Sequence, residues 1–245
     1  MSLFGRSLED GDRLEVAGAV VRLKVHNRAR RVSLRLDRTR REIIATAPSL
    51  RRLPEAAAFA RDRAAWIADR LAELPDAEAV APGVVITLFG QPCRLEASDK
   101  PARLHPATGE APACITARGE GAAFANAVIR VVRREALRVF TERTAFHCGR
   151  LGVKLPSVTI MDARARWGSC RPGLPGKPAA IRYSWRLALA PFEVADYVAA
   201  HECAHLLELN HGPRFWAHVK ALVGDERPHR AWLRAEGARL HAFGR

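Results

Sequence analysis

The sequence lacks the paired cysteines that staple a small secreted domain. Its 245 residues contain five cysteines, an odd number, and no two of them form a C-x-x-C pair. They are widely spaced, at Cys93, Cys114, Cys148, Cys170 and Cys203. This pattern argues against a disulfide framework and favours a reducing compartment.

Long apolar stretches are also missing. No uncharged apolar run approaches the roughly 18 residues that a membrane-spanning helix needs. The first ten residues contain no apolar core of the kind found in secretory signals. From these two absences we expect a soluble, cytoplasmic protein with no membrane partner.

Lysine is scarce: the 40 basic residues comprise 35 arginines and 5 lysines, against 26 acidic residues, which leaves a formal charge of +14. Arginine suits phosphate contacts, so nucleic acid or a nucleotide is a candidate partner. A solvated basic surface, or a coding bias towards arginine, explains the same charge. With 48% hydrophobic and 27% charged residues, the composition is that of a globular protein.

Local patterns predict an α+β fold in two parts. Residues 1–120 read as a strand-rich region, with hairpin turns over 37–41 and 90–92. Between the hairpins, prolines bracket one amphipathic helix over 54–74. From residue 121 to 245 the apolar period becomes helical, and we assign a second domain there. No internal repeat is evident.

The second part contains further predicted elements. A long helix ends near Gly149, and short β-type runs follow it. The predicted strands cover 157–161 and 180–185, and the predicted helices cover 191–209, 213–223 and 228–240.

One motif in this part carries metal chemistry. His201 and His205, in an H-E-x-x-H sequence, are one helical turn apart, so both imidazoles leave the same face. Two such imidazoles can share a tetrahedral metal, for which Zn²⁺ is the first candidate. Glu202 lies beside the first ligand, where its carboxylate can act as general base on a water molecule. The alternative is a surface helix with two histidines, but the surrounding helix is apolar, and buried histidines need partners.

His211 is the candidate third ligand, provided that the helix stops before it. In a continuous helix it would lie roughly 9 Å along the axis and about 240° around from His205. Asn210 tolerates a left-handed conformation and Gly212-Pro213 breaks a helix, so the chain can fold back. Cys203 is about 200° around the helix from His201 and should point into the core instead.

Alternatives remain for the third ligand and for the groups that stabilise a transition state. His211 can instead be a surface loop residue, and a carboxylate from the following helices can replace it: Asp225, Glu226 or Glu236. Four side chains are candidates for donating to a developing oxyanion, although each has a structural reading as well: Arg166, Tyr183, Arg214 and His218.

The motif and its surroundings resemble a known family. H-E-C-A-H-L-L-E-L-N-H-G-P-R-F-W, with A-R-W-G-S-C and S-W-R-L-A-L-A-P upstream, is similar to the YgjP-like metallopeptidases, which are related to the SprT and WLM (Wss-type) proteases. The resemblance implies a zincin-like catalytic domain with one Zn²⁺ held by His201, His205 and His211, and with Glu202 catalytic. It places Trp167 and Gly168 in a family block that we interpret as cleft wall, with core packing by Trp167 as the alternative.

The spacing also resembles the metzincin pattern H-E-x-x-H-x-x-G-x-x-H. Glu208 stands where that pattern has glycine, and the only methionines are Met1 and Met161, so no methionine turn can follow the motif. A metzincin fold is therefore not expected.

These features predict a zinc-dependent hydrolase that acts on peptide bonds. An extended substrate is expected to pair with the strand at Ile181–Trp185. Three other functions are compatible with the sequence: a nucleotide phosphoanhydride hydrolase, a nucleic-acid-associated protease and a non-catalytic binding module stabilised by metal.

Overall fold

The chain divides after residue 76 into two units, residues 1–76 and 77–245. The computed structural model describes residues 7–38, 40–74, 78–109, 111–163 and 166–244. Helices and strands are mixed and the N-terminal region is rich in strands, which confirms the α+β fold. The division lies upstream of the boundary predicted near residue 120, because the strands between 85 and 117 belong to the second unit.

In its described part, the first unit contains a four-stranded sheet and two α-helices. The strands are β1 (Arg13–Val16), β2 (Ala19–Val25), β3 (Ser33–Asp37) and β4 (Glu42–Ala47), in the order β1-β2-β4-β3. A 3-10 turn at Leu50–Arg52 precedes α1 (Leu53–Asp62) and α2 (Ala64–Ala72). The one helix predicted over 54–74 is thus two, with Arg63 at the break between them. The predicted hairpin is confirmed as the antiparallel pair β3–β4; Thr39 of its turn lies outside the described residues.

The second unit opens with another sheet. Its strands are β5 (Val85–Leu88), β6 (Gln91–Ala97), β7 (Arg103–His105) and β8 (Ala113–Ala117), in the order β5-β6-β8-β7. The second predicted hairpin is therefore confirmed as β5–β6. Its turn lies at Phe89-Gly90 rather than over 90–92, so β6 begins at Gln91, two residues before the predicted start at Cys93.

The two sheets repeat one topology. In each, the outer pairs are antiparallel and the central pair is parallel. The first hairpin turns at Ala17-Gly18 in one sheet and at Phe89-Gly90 in the other, and all four residues have positive φ, as a type I′ turn requires. This repetition is visible in the strand order and the turn conformations, although no repeat is evident in the sequence.

A 31-residue helix, α3 (Gly121–Leu151), follows the second sheet and confirms the long predicted helix. Beyond it the chain forms three strands, a 3-10 turn and three helices in the described part. These are β9 (Ser157–Met161), β10 (Gly168–Arg171), β11 (Ala180–Ser184), the turn Trp185–Leu189, α4 (Phe192–Ala204), α5 (Pro213–Val223) and α6 (Arg227–Ala242). The predicted strands and the last two predicted helices are confirmed.

β11 occupies the middle of its sheet. It pairs antiparallel with β10 on one side and parallel with β9 on the other. The expectation that this segment would pair with an extended substrate is therefore wrong, because neither of its edges is free. Both of its neighbours, β10 and β9, are edge strands of this sheet.

No helix in the described ranges is both long enough and apolar enough to span a bilayer.

Candidate metal centre

Helix α4 contains the H-E-x-x-H residues and ends before His211, as a site shared by the three histidines requires. It ends at Ala204, earlier than the predicted end near Leu209, and His205 is its C-cap. Residues 205–207 continue as a turn, and α5 begins at Pro213. The early stop lets the chain reverse after the second histidine, which brings His211 back towards the first two.

The three histidines converge as the spacing predicted. One ring nitrogen from each of His201, His205 and His211 lies within 4.8 Å of the others, and the Nε2 atoms of His201 and His211 are 3.1 Å apart. In a tetrahedral zinc site with Zn–N bonds of about 2.0–2.1 Å, neighbouring nitrogens are about 3.4 Å apart. Three imidazole nitrogens are a donor set that fits a zinc ion, and the 3.1 Å pair is close to that spacing.

The ring of Phe215 packs against all three imidazoles. It is fully buried at the start of α5. Its ring centroid lies 4.8, 4.5 and 4.7 Å from those of His201, His205 and His211 respectively. Since an aromatic ring in contact with all three histidines restricts their rotamers, Phe215 pre-forms the cluster.

Hydrogen bonds orient the two helical imidazoles. The Nδ1–H of His205 donates to the backbone oxygen of Glu208 over 3.0 Å, which leaves Nε2 with its lone pair. The Nδ1 of His201 lies 3.4 Å from the hydroxyl of Tyr197, one turn earlier on α4. Partners of this kind fix the tautomer and the ring direction of a metal-ligating histidine.

The surroundings keep these imidazoles neutral. Burial, together with the neighbouring histidines, lowers the pKa of His201 to about 3. Burial also lowers the pKa of His205, against the hydrogen bond to Glu208. Neutral imidazole is the form that binds a metal ion, so His201 and His205 are ready to ligate near neutral pH.

Glu202 lies in a space that only glycine leaves open. The side chain is 94% buried, and a methyl group added to Gly168 would lie 2.6 Å from its Cγ and 2.7 Å from its Cδ. Gly168 therefore has to lack a side chain for the carboxylate to take this position. Burial raises the pKa of Glu202 to about 7, while the charge of Arg166 acts to lower it.

Cys203 lies in the core, as predicted. Its Sγ is 3.9 Å from that of Cys148, and both side chains are fully buried. The three carboxylates considered as alternative third ligands are each paired with a nearby arginine. The pairs are Asp225 with Arg227, Glu226 with Arg230, and Glu236 with Arg239. Among the described residues, the histidine cluster is the one group arranged to hold a metal ion.

Tyr183 lies in the interior of the second unit. It is fully buried, its hydroxyl is hydrogen-bonded to Thr144 Oγ1 over 2.9 Å, and its ring stacks on Phe140 with centroids 4.3 Å apart. The enclosed Tyr183 hydroxyl stabilises the packing of β11 on α3. It offers no exposed surface to a substrate, so the structure does not support the oxyanion role considered for it.

The remaining sequence candidates lie in different settings. Arg166 is exposed and its charge reaches Glu202. Trp167 stacks on His241 of α6, with centroids 4.7 Å apart, which favours the packing alternative. Arg214 is exposed and paired with Glu208 over 2.7 Å. His218, half-buried on α5, is outside the histidine cluster.

Sequence reasoning missed Tyr197, Phe215 and His229. His229 stacks on Tyr197, with centroids 5.6 Å apart, behind the contact between Tyr197 and His201. A tyrosine one helical turn before the first histidine was a usable signal, because residues four apart share a helix face. No sequence pattern indicated a role for His229, which lies on α6.

Comparison with known proteins agrees with this geometry. A family model described as YgjP-like, metallopeptidase domain, matches residues 30–236, most of the chain. No curated protein and no solved structure gives a significant match. The matched region includes the histidine cluster, Glu202 and Gly168. The chain therefore belongs to the YgjP-like family and is a hydrolase of the metallopeptidase type.

Proposed function

We propose that the protein hydrolyses peptide bonds at a zinc ion held by His201, His205 and His211. The convergence of three imidazoles within 4.8 Å carries this proposal, with Glu202 beside them. Three protein ligands leave a fourth position for a water molecule or a substrate, as catalytic zinc sites require. A structural zinc site would be closed by four protein ligands.

When bound, zinc would lower the pKa of a water molecule and polarise the scissile carbonyl. The chain's own residues move the proton. Glu202 accepts it from the attacking water on a carboxylate oxygen, and then delivers it to the nitrogen of the leaving amine. Gly168 holds that carboxylate in place by leaving room for it. Arg166, whose charge already acts on Glu202, is the candidate for stabilising negative charge on the carbonyl oxygen.

The position of the edge strand β10 is an argument for a peptide substrate. Its first residue is Gly168, which contacts Glu202, and among the described residues only β11 pairs with it. An extended peptide can add to such an edge through backbone hydrogen bonds. A substrate bound along β10 would pass the Glu202 carboxylate, whereas the buried strand β11 offers no such path.

The test is mass-spectrometric analysis of a diverse peptide library after incubation with the protein in three states: zinc-loaded, chelator-treated and reloaded with zinc. We expect cleavage in the first and third states only. If the zinc-loaded protein leaves every peptide intact, the proposal is wrong. Release of phosphate or pyrophosphate from nucleoside triphosphates in the same samples would then assign the site to phosphoanhydride hydrolysis.

A further inference from the structure

A second candidate site lies in the first unit, along an unpaired strand edge. β3 is at the end of the order β1-β2-β4-β3 and pairs with β4 alone among the described residues. No strand in the described part of the chain pairs with the backbone N–H and C=O groups on its other side. Such an edge is a template for another extended chain.

A groove runs beside this edge. It has a volume of about 510 Å³. Its apolar lining comes from the β3 side and from helices α1 and α2: Val32, Leu34, Phe59 and Trp66. Arg31, Ser33 and Arg63 complete the lining. A second depression of about 330 Å³ shares Arg31, Val32 and Phe59 with it, so the groove continues towards the start of α1.

The two faces of β3 differ in character. Leu34 and Leu36 are half-buried and pack against the apolar core of the unit, whereas Ser33 and Arg35 are exposed. A strand added beside β3 would place alternate side chains on these same two faces. One set would enter the apolar groove, and the other would lie next to Arg35.

Exposed positive charge is concentrated on β3 and on the residues just before it. Residues 28–41 contain seven arginines and one acidic residue, Asp37. Four of these arginines are exposed and have no ion-pair partner in the described part of the chain: Arg28, Arg30, Arg31 and Arg35. This density of unpaired positive charge complements an anionic ligand.

We propose that the β3 groove binds an extended acidic peptide segment by strand addition, with apolar residues at alternate positions. The apolar side chains fill the groove over Leu34 and the carboxylates pair with the arginines. The site belongs to the first unit, and its binding does not depend on hydrolysis at the metal centre of the second unit.

The contacts favour a peptide over single-stranded nucleic acid. Backbone groups along a strand edge match the repeat of another polypeptide. Bases would need open aromatic faces for stacking. Guanidinium groups already lie over both aromatic rings: Arg63 is 5.6 Å from the Phe59 centroid and Arg70 is 5.8 Å from that of Trp66.

The test measures fluorescence anisotropy of labelled ligands with the full chain. The probes are a peptide of alternating leucine and glutamate, a peptide of the same composition with the residues in blocks, and single-stranded DNA of equal charge. We expect the alternating peptide to bind more tightly than the block peptide by about tenfold. We expect the DNA to bind more weakly than the alternating peptide and to compete poorly with it.

Two matched charge reversals locate the site. Arg35→Glu should weaken binding of the alternating peptide by about tenfold. Arg13→Glu makes the same charge change on β1, at the opposite edge of the sheet, and should leave affinity nearly unchanged. Equal binding of both peptides, equal losses in both variants, or the absence of binding would each overturn the proposal. Tighter binding of DNA would make the surface a nucleic-acid site instead.

Discussion

Gly168, the first residue of β10, lies directly against the carboxylate of Glu202 on α4. A methyl group at Gly168 would lie 2.6 Å from Glu202 Cγ and closer still to its Oε1, nearer than non-bonded atoms can come. The two residues are 34 positions apart in sequence, and strand and helix touch at the group that we assign to proton transfer. The glycine of the W-G-S-C block is thus explained by space for Glu202 rather than by an unusual φ angle.

The first prediction concerns this contact. Gly168→Ala should force the Glu202 carboxylate to move, and a displacement of about 1 Å from its working position can cost about a hundredfold in rate. Peptide cleavage should fall by that order while bound zinc remains at one ion per chain. Steady-state kinetics and metal analysis on one sample measure both.

Gly149→Ala is the matched control for this variant. Gly149 lies in the exposed part of α3, and a methyl group there would contact nothing within 4 Å. Its activity should equal that of the wild type. Unchanged cleavage by the Gly168→Ala protein would show that the position of Glu202 does not limit the reaction.

The second prediction uses the two tyrosines of the chain as a pair. Tyr197→Phe removes the hydroxyl next to His201 Nδ1 and keeps the ring against His229, so zinc affinity should fall about tenfold or more. Tyr183→Phe removes the hydroxyl bonded to Thr144 in the core, and should cost about 1 kcal/mol in the free energy of unfolding. Its zinc affinity should be unchanged. Competition with a chromogenic chelator gives the affinities, and the same loss in both variants would refute the role of Tyr197.

The third prediction concerns the ligand set. X-ray absorption at the zinc edge should show nitrogen and oxygen neighbours at about 2.0–2.1 Å and no sulfur at about 2.3 Å. The physical reason is that Cys203 points into the core, where its Sγ lies near Cys148. A sulfur shell would mean that the thiol turns towards the metal, which would contradict the assigned site.

The fourth prediction follows from a partly buried ion pair between α3 and α4. The carboxylate of Asp196 lies 2.7 Å from Arg143 Nε and 2.7 Å from His147 Nε2. Burial alone would raise the pKa of Asp196, but the hydrogen bonds from His147 and Arg143 outweigh it and lower the pKa below the ordinary value. A carboxyl group with a lowered pKa stabilises the fold above its unfolded pKa, near 3.9, and loses that effect as pH falls through the folded pKa.

Asp196→Asn should therefore destabilise the zinc-free protein by about 1–3 kcal/mol at neutral pH. The difference from the wild type should shrink progressively below about pH 4. Urea unfolding at a series of pH values measures it. Asp62→Asn, at the exposed end of α1, serves as the control and should show little difference throughout. A deficit for Asp196→Asn that stays constant into acid would exclude the ionised carboxylate as its cause.

The sequence was informative wherever local geometry decides the structure. Helical spacing predicted that His201 and His205 share one face and that Cys203 points away from them. The helix-ending residues Asn210 and Gly212-Pro213 indicated that the helix ends before His211, so that the chain can turn back. These inferences need only the pitch of a helix and the residues that end it.

Contacts between distant segments could not be predicted in this way. The approach of Gly168 to Glu202, the central position of β11 and the enclosure of Tyr183 all depend on which strands pair and which helix covers them. Alternation predicts a strand, but it does not say which neighbours the strand will have.

The repeated sheet topology escaped sequence reasoning for a related reason. The aligned hairpins share few identities, such as Gly18 with Gly90 and Leu23 with Leu95. The required features are conformational: positive φ at the turns, and inward apolar residues of differing type. Many sequences satisfy those requirements, so the similarity appears only in the strand order and register.

The most direct test of the account compares cleavage and zinc content in Glu202→Gln and in Glu193→Gln, an exposed glutamate at the start of the same helix. Both variants should bind one zinc ion per chain. Glu193→Gln should cleave peptides at the wild-type rate, while Glu202→Gln should lose cleavage by several orders of magnitude. Wild-type cleavage by zinc-loaded Glu202→Gln would contradict the assignment of Glu202 as the group that moves the proton.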